Sequence, residues 1–210
     1  GWGVADESHR ALSVLKELGN DTWMTLGDRD FGLHIYRTNA LRQGQNRSGI
    51  AAHVAQVFGV TSQIILPTDD VVETRVRVAS GWLTFQEYFV REQCRPEILA
   101  LDFEGIEAAR PTPAALEAIN CADLIVIAPS NPLVSIDPIL DIPGIRAAVS
   151  TSSAPKIAVS PLIEGKTIKG PAARMMTALG HRADAYGVAE HYQGLITTLV
   201  IDPVDGEHAG

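Results

Sequence analysis

Residues suited to holding an anion recur at the ends of apolar stretches in this chain. The run Ala128-Pro129-Ser130-Asn131-Pro132-Leu133-Val134-Ser135-Ile136 follows one such stretch. Its two prolines fix the backbone, and Ser130, Asn131 and Ser135 offer donors just ahead of a helical pattern. Backbone N–H groups at a helix start, aided by the helix dipole, make a natural site for phosphate or carboxylate. The same composition also serves as a polar turn with helix caps. A second run, from Ser160 to Pro171, carries Lys166 and Lys169 between two apolar segments. It lacks the glycine spacing of a Walker A loop, so its lysines read either as anion ligands or as solvated loop residues. Pro171 suits the first position of a helix.

Two further groups bear charge at close spacing. Gly27-Asp28-Arg29-Asp30 leads into His34 and Arg37, and Asp30, His34 and Arg37 recur at i, i+4 and i+7. That spacing places carboxylate, imidazole and guanidinium on one helical face, as a solvated salt-bridged stripe or as a ligand surface. Arg29 presents a fixed fork of donors to a planar hydrogen-bonding ligand. Asp69 and Asp70, after Pro67-Thr68, are adjacent carboxylates able to hold a hard divalent cation or to cap a turn. Phe85-Gln86-Glu87-Tyr88-Phe89 reads as a strand-to-helix corner whose aromatics belong to the core. The HExxH, GxSxG and paired-cysteine metal patterns are missing, and the six histidines are scattered.

These groups need elements to position them. Helical spacing predicts helices from about Asp6 to Leu18, after Gly27-Asp28 as far as Gly44, and from Ser48 to Phe58. A strand is predicted over Ser62–Leu66, a hairpin over Thr74–Val78 and Trp82–Phe85, and another strand over Ile98–Phe103. Beyond Pro113 helical patterns at Ala114–Ile119, Ile139–Val149, Pro171–Leu179 and Val188–Tyr192 alternate with apolar strands. Those strands are Asp123–Ala128, Lys156–Ser160 and Thr197–Ile201. Continuous apolar strands between helices predict parallel βαβ units with helices on both faces. The fold class is therefore α/β, a Rossmann-like three-layer, mostly parallel sheet in one domain over residues 1–210. A helical and hairpin insertion covers about residues 6–103.

Composition bounds the rest. The 210 residues are 46% hydrophobic with a net charge of −8, enough for a real core and mildly against nucleic acid as partner. No apolar run reaches the length of a membrane span. Two cysteines, Cys94 and Cys121, cannot staple a domain of this size, and they read as free thiols in a reducing cytoplasm.

In collinear order the chain resembles the 2-phospho-L-lactate transferase family of coenzyme F-420 biosynthesis. The resemblance lies in Gly1-Trp2-Gly3, Leu26-Gly27-Asp28-Arg29-Asp30, His34-Ile35-Tyr36-Arg37-Thr38 and Pro67-Thr68-Asp69-Asp70. It continues through Phe85 to Arg91, Ala128-Pro129-Ser130-Asn131-Pro132 with Ser135-Ile136, Val159-Ser160-Pro161 and Lys169-Gly170-Pro171. What it implies is a transferase that passes a phospho-organic acid from a guanosine-diphosphate-activated donor to the ribityl hydroxyl of the deazaflavin Fo, releasing GMP. Magnesium would bridge phosphate oxygens, and the enzyme would be a homodimer. By the same resemblance Asp28, Arg29, Asp30, His34 and Arg37 bind the Fo substrate. Pro129, Ser130, Asn131, Pro132, Ser135 and Lys169 bind the nucleotide, and Asp69 and Asp70 line the reacting site. Phospholactate, phosphoenolpyruvate and phosphoglycerate donors all stay open.

Two departures qualify the resemblance. The Phe31-Gly32-Leu33 stretch differs from the Leu-Ala-Thr-like sequence expected there. The family's opening strand, glycine-rich loop and following acidic segment lie upstream of Gly1-Trp2-Gly3, and its helical tail extends past Gly210. The alternative is a non-catalytic nucleotide-sugar-binding regulator of the same fold, a branch with Pro-Gly-Ser where Pro129-Ser130-Asn131-Pro132 stands. A dinucleotide-binding oxidoreductase would need a GxGxxG after a strand, which the chain lacks. The expectation is that these 210 residues alone bind GDP and Fo weakly and turn over slowly or not at all. Assaying transfer beside a full-length relative checks this, and an equal rate would refute it.

Overall fold

Helix boundaries in the N-terminal part are set by side chains that satisfy backbone donors. The computed structural model describes residues 6–167 and 170–208, so Gly1-Trp2-Gly3 and Lys169 lie outside the described residues. The first helix, α1 (Arg10–Glu17), starts later than the apolar spacing predicts. Asp28 decides the start: its carboxylate accepts from Ser8 Oγ at 2.6 Å and from the N–H groups of Arg10 and Ala11 at 3.2 and 2.9 Å. Ahead of it Asp6 adopts a left-handed φ of 57°. Helix α2 (Asp28–Arg42) begins where Asp30 accepts from Gly27 N–H at 3.1 Å. Helix α3 (Arg47–Val57) begins where Asn46 accepts from Gly49 N–H at 2.9 Å. Each motif supplies an orphan first-turn donor with an acceptor.

The chain divides into two compact units, Gly1–Leu66 with Phe89–Gln93, and Pro67–Tyr88 with Cys94–Gly210. In the first, the fully buried helical positions are only Ala40 of α2 and Ile50 of α3. The predicted strand over Ser62–Leu66 does not form, and those residues are irregular. β-propensity becomes structure only against a partner strand. Here Ile64 and Leu66 instead border an apolar cavity beside α3.

The second unit contains the three sheets of the described residues. Strands β1 (Glu73–Val78), β2 (Gly81–Thr84) and β3 (Ala100–Glu104) pair antiparallel in the order β2-β1-β3. Val76 and Val78 point inward at 0% and 1% exposure, while Arg77 lies over the Trp82 ring at 5.7 Å. The predicted corner is a π-helical turn, Glu87–Arg91, whose Glu87 carboxylate accepts from Thr84 N–H and Oγ1 at 2.9 and 3.0 Å. Tyr88 is buried, as the sequence predicts, and its hydroxyl donates to the Cys94 carbonyl at 3.3 Å.

The α/β half follows. Helix α4 (Pro113–Asn120) carries Pro113 at its first position and a Thr112 cap. It leads to β4 (Ile125–Ile127), which pairs parallel with β5 (Lys156–Val159). The single helix predicted over Ile139–Val149 is two, α5 (Asp137–Leu140) and α6 (Ile145–Thr151). Pro143 has no N–H to donate and Gly144 turns at φ 97°, so the chain breaks there despite its apolar spacing. After β5 comes a small hairpin, β6 (Leu162–Ile163) and β7 (Lys166–Thr167), where the sequence suggests only a loop. Its Glu164-Gly165 turn has positive φ at both residues, and buried Asp205 accepts from Glu164 N–H at 3.1 Å. Helices α7 (Ala172–Ala178) and α8 (Ala185–His191) precede β8 (Thr198–Val200), giving the parallel order β4-β5-β8.

One face of that sheet buries Ile127 and Ala158, and the core continues through Met175, Met176, Val188 and Tyr192. The opposite face leaves Val126 and Val200 about half exposed, where the sequence predicts cover. Cys94 is buried and Cys121 exposed, and both are free thiols. No helix of the described residues is long and apolar enough to cross a membrane.

Two glycines give opposite expectations. A Cβ on Gly187, in the first turn of α8, would collide with the Arg182 carbonyl, whereas one on Gly32 in α2 meets open space. Gly187→Ala should lose about 1–3 kcal/mol through overpacking. Gly32→Ala should gain about 0.5–1 kcal/mol by restricting the unfolded chain. Urea unfolding of both variants checks the pair.

Candidate functional site

Because β4, β5 and β8 run parallel and in register, the loops after them leave the same edge of the sheet. Ser160 N–H donates to the Val200 carbonyl at 2.8 Å, tying two of these exits together. The carboxyl edge is where open α/β sheets take ligands. The loop after β4 is tightly made. Ser130 N–H donates to the Ala128 carbonyl at 2.7 Å, and Asn131 Oδ1 accepts from Leu133 N–H at 3.0 Å. Asn131 Nδ2 reaches Met175 Sδ on α7 at 3.3 Å. Residues Pro132–Ile136 form a single π-helical turn, with the N–H groups of Ser135 and Ile136 both donating to the Asn131 carbonyl. Such turns are rare and recur at functional sites.

The structure thus brings Pro129, Ser130, Asn131, Pro132 and Ser135 into one loop and gives them different work. Pro132 is buried packing, and Asn131 spends its amide on holding the turn. The half-buried hydroxyls of Ser130 and Ser135 make no side-chain hydrogen bond among the described residues. In the neighbouring loop Ser160 Oγ is engaged with both the N–H and the carbonyl of Leu162.

Asp28, Arg29, Asp30, His34 and Arg37 lie in the first unit. Two of the five have structural jobs: Asp28 caps α1 and Asp30 caps α2. The Ser8 hydroxyl, and after it the Ala11 N–H, hold the Asp28 carboxyl below its ordinary pKa. Arg29, His34 and Arg37 are exposed. Asp30, His34 and Arg37 share a face as their spacing predicts, yet no ion pair joins them. Arg37 instead borders a cavity of about 380 Å³ between α2, α3 and the segment to Leu66, whose walls are apolar apart from Arg37 and Arg47.

Asp69 and Asp70 sit beside the 110–112 segment of the second unit. Asp70 Oδ2 accepts from Arg110 N–H at 2.8 Å, while Thr68 Oγ1 donates to the Arg110 carbonyl at 2.6 Å. Asp70 is therefore a cross-link as well as a carboxylate. No group of three or more His, Cys, Asp or Glu among the described residues could hold a metal ion. Magnesium itself needs only one or two protein carboxylates when phosphates and water complete its shell.

Comparison with known proteins decides the family. The family model described as 2-phospho-L-lactate transferase CofD matches residues 5–208. The chain belongs to the CofD family. A 2-phospho-L-lactate transferase of Methanosarcina mazei is 34% identical over 204 residues, covering 97% of this chain and 67% of the relative. Its namesake in Methanococcoides burtonii is 37% identical, covering 97% and 66%. A phosphoenolpyruvate transferase of Kitasatospora aureofaciens is 39% identical, covering 100% and 67%. This CofD-family chain thus spans about two thirds of the length of those curated relatives. A solved Bacillus halodurans protein of the UPF0052 family shares the fold, with TM-score 0.57 and 18% identity over 93% of this chain and 60% of that one.

Sequence reasoning missed one cluster beside the loop. Asp137, the residue after the π turn, accepts from His191 Nε2 at 2.9 Å and lies 3.5 Å from the Arg146 guanidinium. Its partner is 54 positions away, and no local spacing signals such a pair. Beside it Tyr192 is buried, and its phenol pKa is pushed well up by desolvation first and by the Asp137 charge second.

The Asp28 cap carries a pH signature. Its folded pKa is depressed, so its contribution is present above the ordinary carboxylate value and is lost as the pH falls through the lower, folded one. Amide-exchange protection of α1 in the CofD-family chain should fall on acidification below about pH 4. Asp28→Ala should show the weak protection at every pH, with no titration.

Proposed function

We propose that this chain carries the transfer reaction of its family: a phospho-organic acid moves from a guanosine-diphosphate-activated donor to the deazaflavin Fo. The Fo ribityl hydroxyl oxygen attacks the phosphorus bearing the acid. The bond from that phosphorus to the GMP oxygen breaks, GMP leaves, and the hydroxyl proton passes to solvent. The observation that carries this reading is the family match over residues 5–208, with named transferases at 34–39% identity. The donor acid is of the 2-phospholactate or phosphoenolpyruvate class, after the names those relatives carry.

In this reading the Ser130 and Ser135 hydroxyls and the nearby backbone donors hold the nucleotide at the sheet edge. Arg29 and Arg37 hold Fo. Phosphoryl transfer asks a protein chiefly for alignment and charge stabilisation, which preorganised donors supply. Beside Asp69 and Asp70, magnesium would neutralise charge on the phosphates. The reading includes a cytoplasmic homodimer, in keeping with two free thiols.

Fo is fluorescent, so anisotropy on mixing with protein reads its binding directly, and mass spectrometry of the product from each donor identifies the acid. Fo binding, weaker than a full-length relative's and with slow GMP release, is the expected result. Binding of a UDP-sugar without any binding of Fo would replace this reading with the regulator. Arg29→Ala should weaken Fo binding about tenfold, the loss of one charge-assisted hydrogen bond.

A further inference from the structure

We infer that His191 is a positioning residue for the nucleotide-binding turn after β4, acting through the carboxylate of Asp137. This rests on the nucleotide reading of that turn given above.

The turn is anchored at two ends. At its front Asn131 is fastened to Met175 of α7, and at its rear Asp137 is fastened to His191 at the end of α8. Both partners of the rear anchor are largely buried, with side chains 13% and 12% exposed. Arg146 lies much closer to Asp141 at 2.6 Å than to Asp137 at 3.5 Å. The imidazole is therefore the close partner of the Asp137 carboxylate among the described residues. Its ring is held on edge by Tyr192 and by His181, with centroids 5.1 and 5.8 Å away. Tyr192 is itself 1% exposed, so the ring that meets the imidazole edge is fixed in the core.

Removing that donor leaves the carboxylate only the longer Arg146 contact, which draws it outward toward that exposed guanidinium. Asp137 is the first residue of α5, a helix of four residues that follows the π turn directly. A π turn is a poor structure by itself, and four helical residues cannot sustain one. Any outward movement of Asp137 is thus transmitted to Ser135 and to the turn's backbone. Arg29 and Arg37, the Fo ligands of that reading, make no bond to Asp137 or His191 among the described residues, so Fo binding serves as the control.

The test uses two substitutions that differ in reach. In His191→Gln the amide nitrogen falls where Nε2 lay and can still donate to Asp137. In His191→Asn it falls short. His191→Asn should weaken GDP binding about tenfold by calorimetry, with His191→Gln within about twofold of wild type and Fo affinity unchanged in both. Amide exchange over residues 133–137 in the ligand-free protein should quicken in His191→Asn and not in His191→Gln. Should His191→Asn fail to fold, Asp137→Ser removes the buried charge together with its anchor and should show the same losses. Unchanged GDP affinity and exchange in a folded variant overturn the inference, as does a parallel loss of GDP and Fo binding. If the wild-type protein binds no GDP, the nucleotide reading fails, and the exchange rates alone then decide whether His191 holds the turn.

Discussion

Three very short strands in parallel register decide where everything on the ligand side of this protein can be. Ile127 stands against Ala158, and Val159 against Val200, so the chain exits after β4, β5 and β8 share one edge. With three or four residues per strand the ladder contributes few hydrogen bonds. Parallel sheets gain their stability from what packs on them. Here that is Ile127 and Ala158 on one face, with Met175, Met176, Val188 and Tyr192 continuing the core. Helices α7 and α8 therefore do two things at once. They bury apolar surface, and they present Met175 and His191 to the two ends of the turn that leaves β4.

Fold and candidate site were legible in the sequence wherever the signal was local. Helices α2 and α3 follow from their spacing and their terminal glycines, and the β1–β2 hairpin from alternation around Gly81. The Ala128–Ile136 loop announced itself through prolines and hydroxyls between a strand and a helix. Legibility ended where a partner distant in sequence decides the outcome. Ser62–Leu66 has the composition of a strand and no strand to pair with. Pro143-Gly144 carried its own break, but the apolar spacing across it reads as one helix until Gly144 is seen at φ 97°. The Asp70 bond to Arg110 spans 40 positions and the Asp137 bond to His191 spans 54, and neither distance leaves a pattern.

Gly27-Asp28-Arg29-Asp30 shows how one short motif can set two helix starts and the backbone under an exposed arginine together. Its two carboxylates accept from backbone N–H groups, and they fix α1 and the start of α2. The backbone beneath Arg29 is thereby set by its neighbours on both sides, and Arg29 N–H is itself accepted by Glu7 at 3.3 Å. A guanidinium on such a base loses less freedom on meeting a planar ligand than one on an open loop. Loss of binding after replacing either carboxylate would thus report on the scaffold, and only the Arg29 side chain separates contact from support.

The β4 turn and the helices of the first unit are held by different physics, and this orders their stability. The β4 turn is anchored by groups set in the buried core. Helix α2, which carries Arg29 and Arg37, buries only Ala40, and α3 only Ile50; both rest on exposed caps and on walls around an apolar cavity. Segments with few buried apolar contacts open at lower free energy than the core, independently of global unfolding. A ligand that fills the space beside Arg37 would add the apolar contact this unit lacks, and by linkage would stabilise it in proportion to its affinity. A ligand in that cavity would thus order the first unit, whereas the β4 turn is set by the core without one.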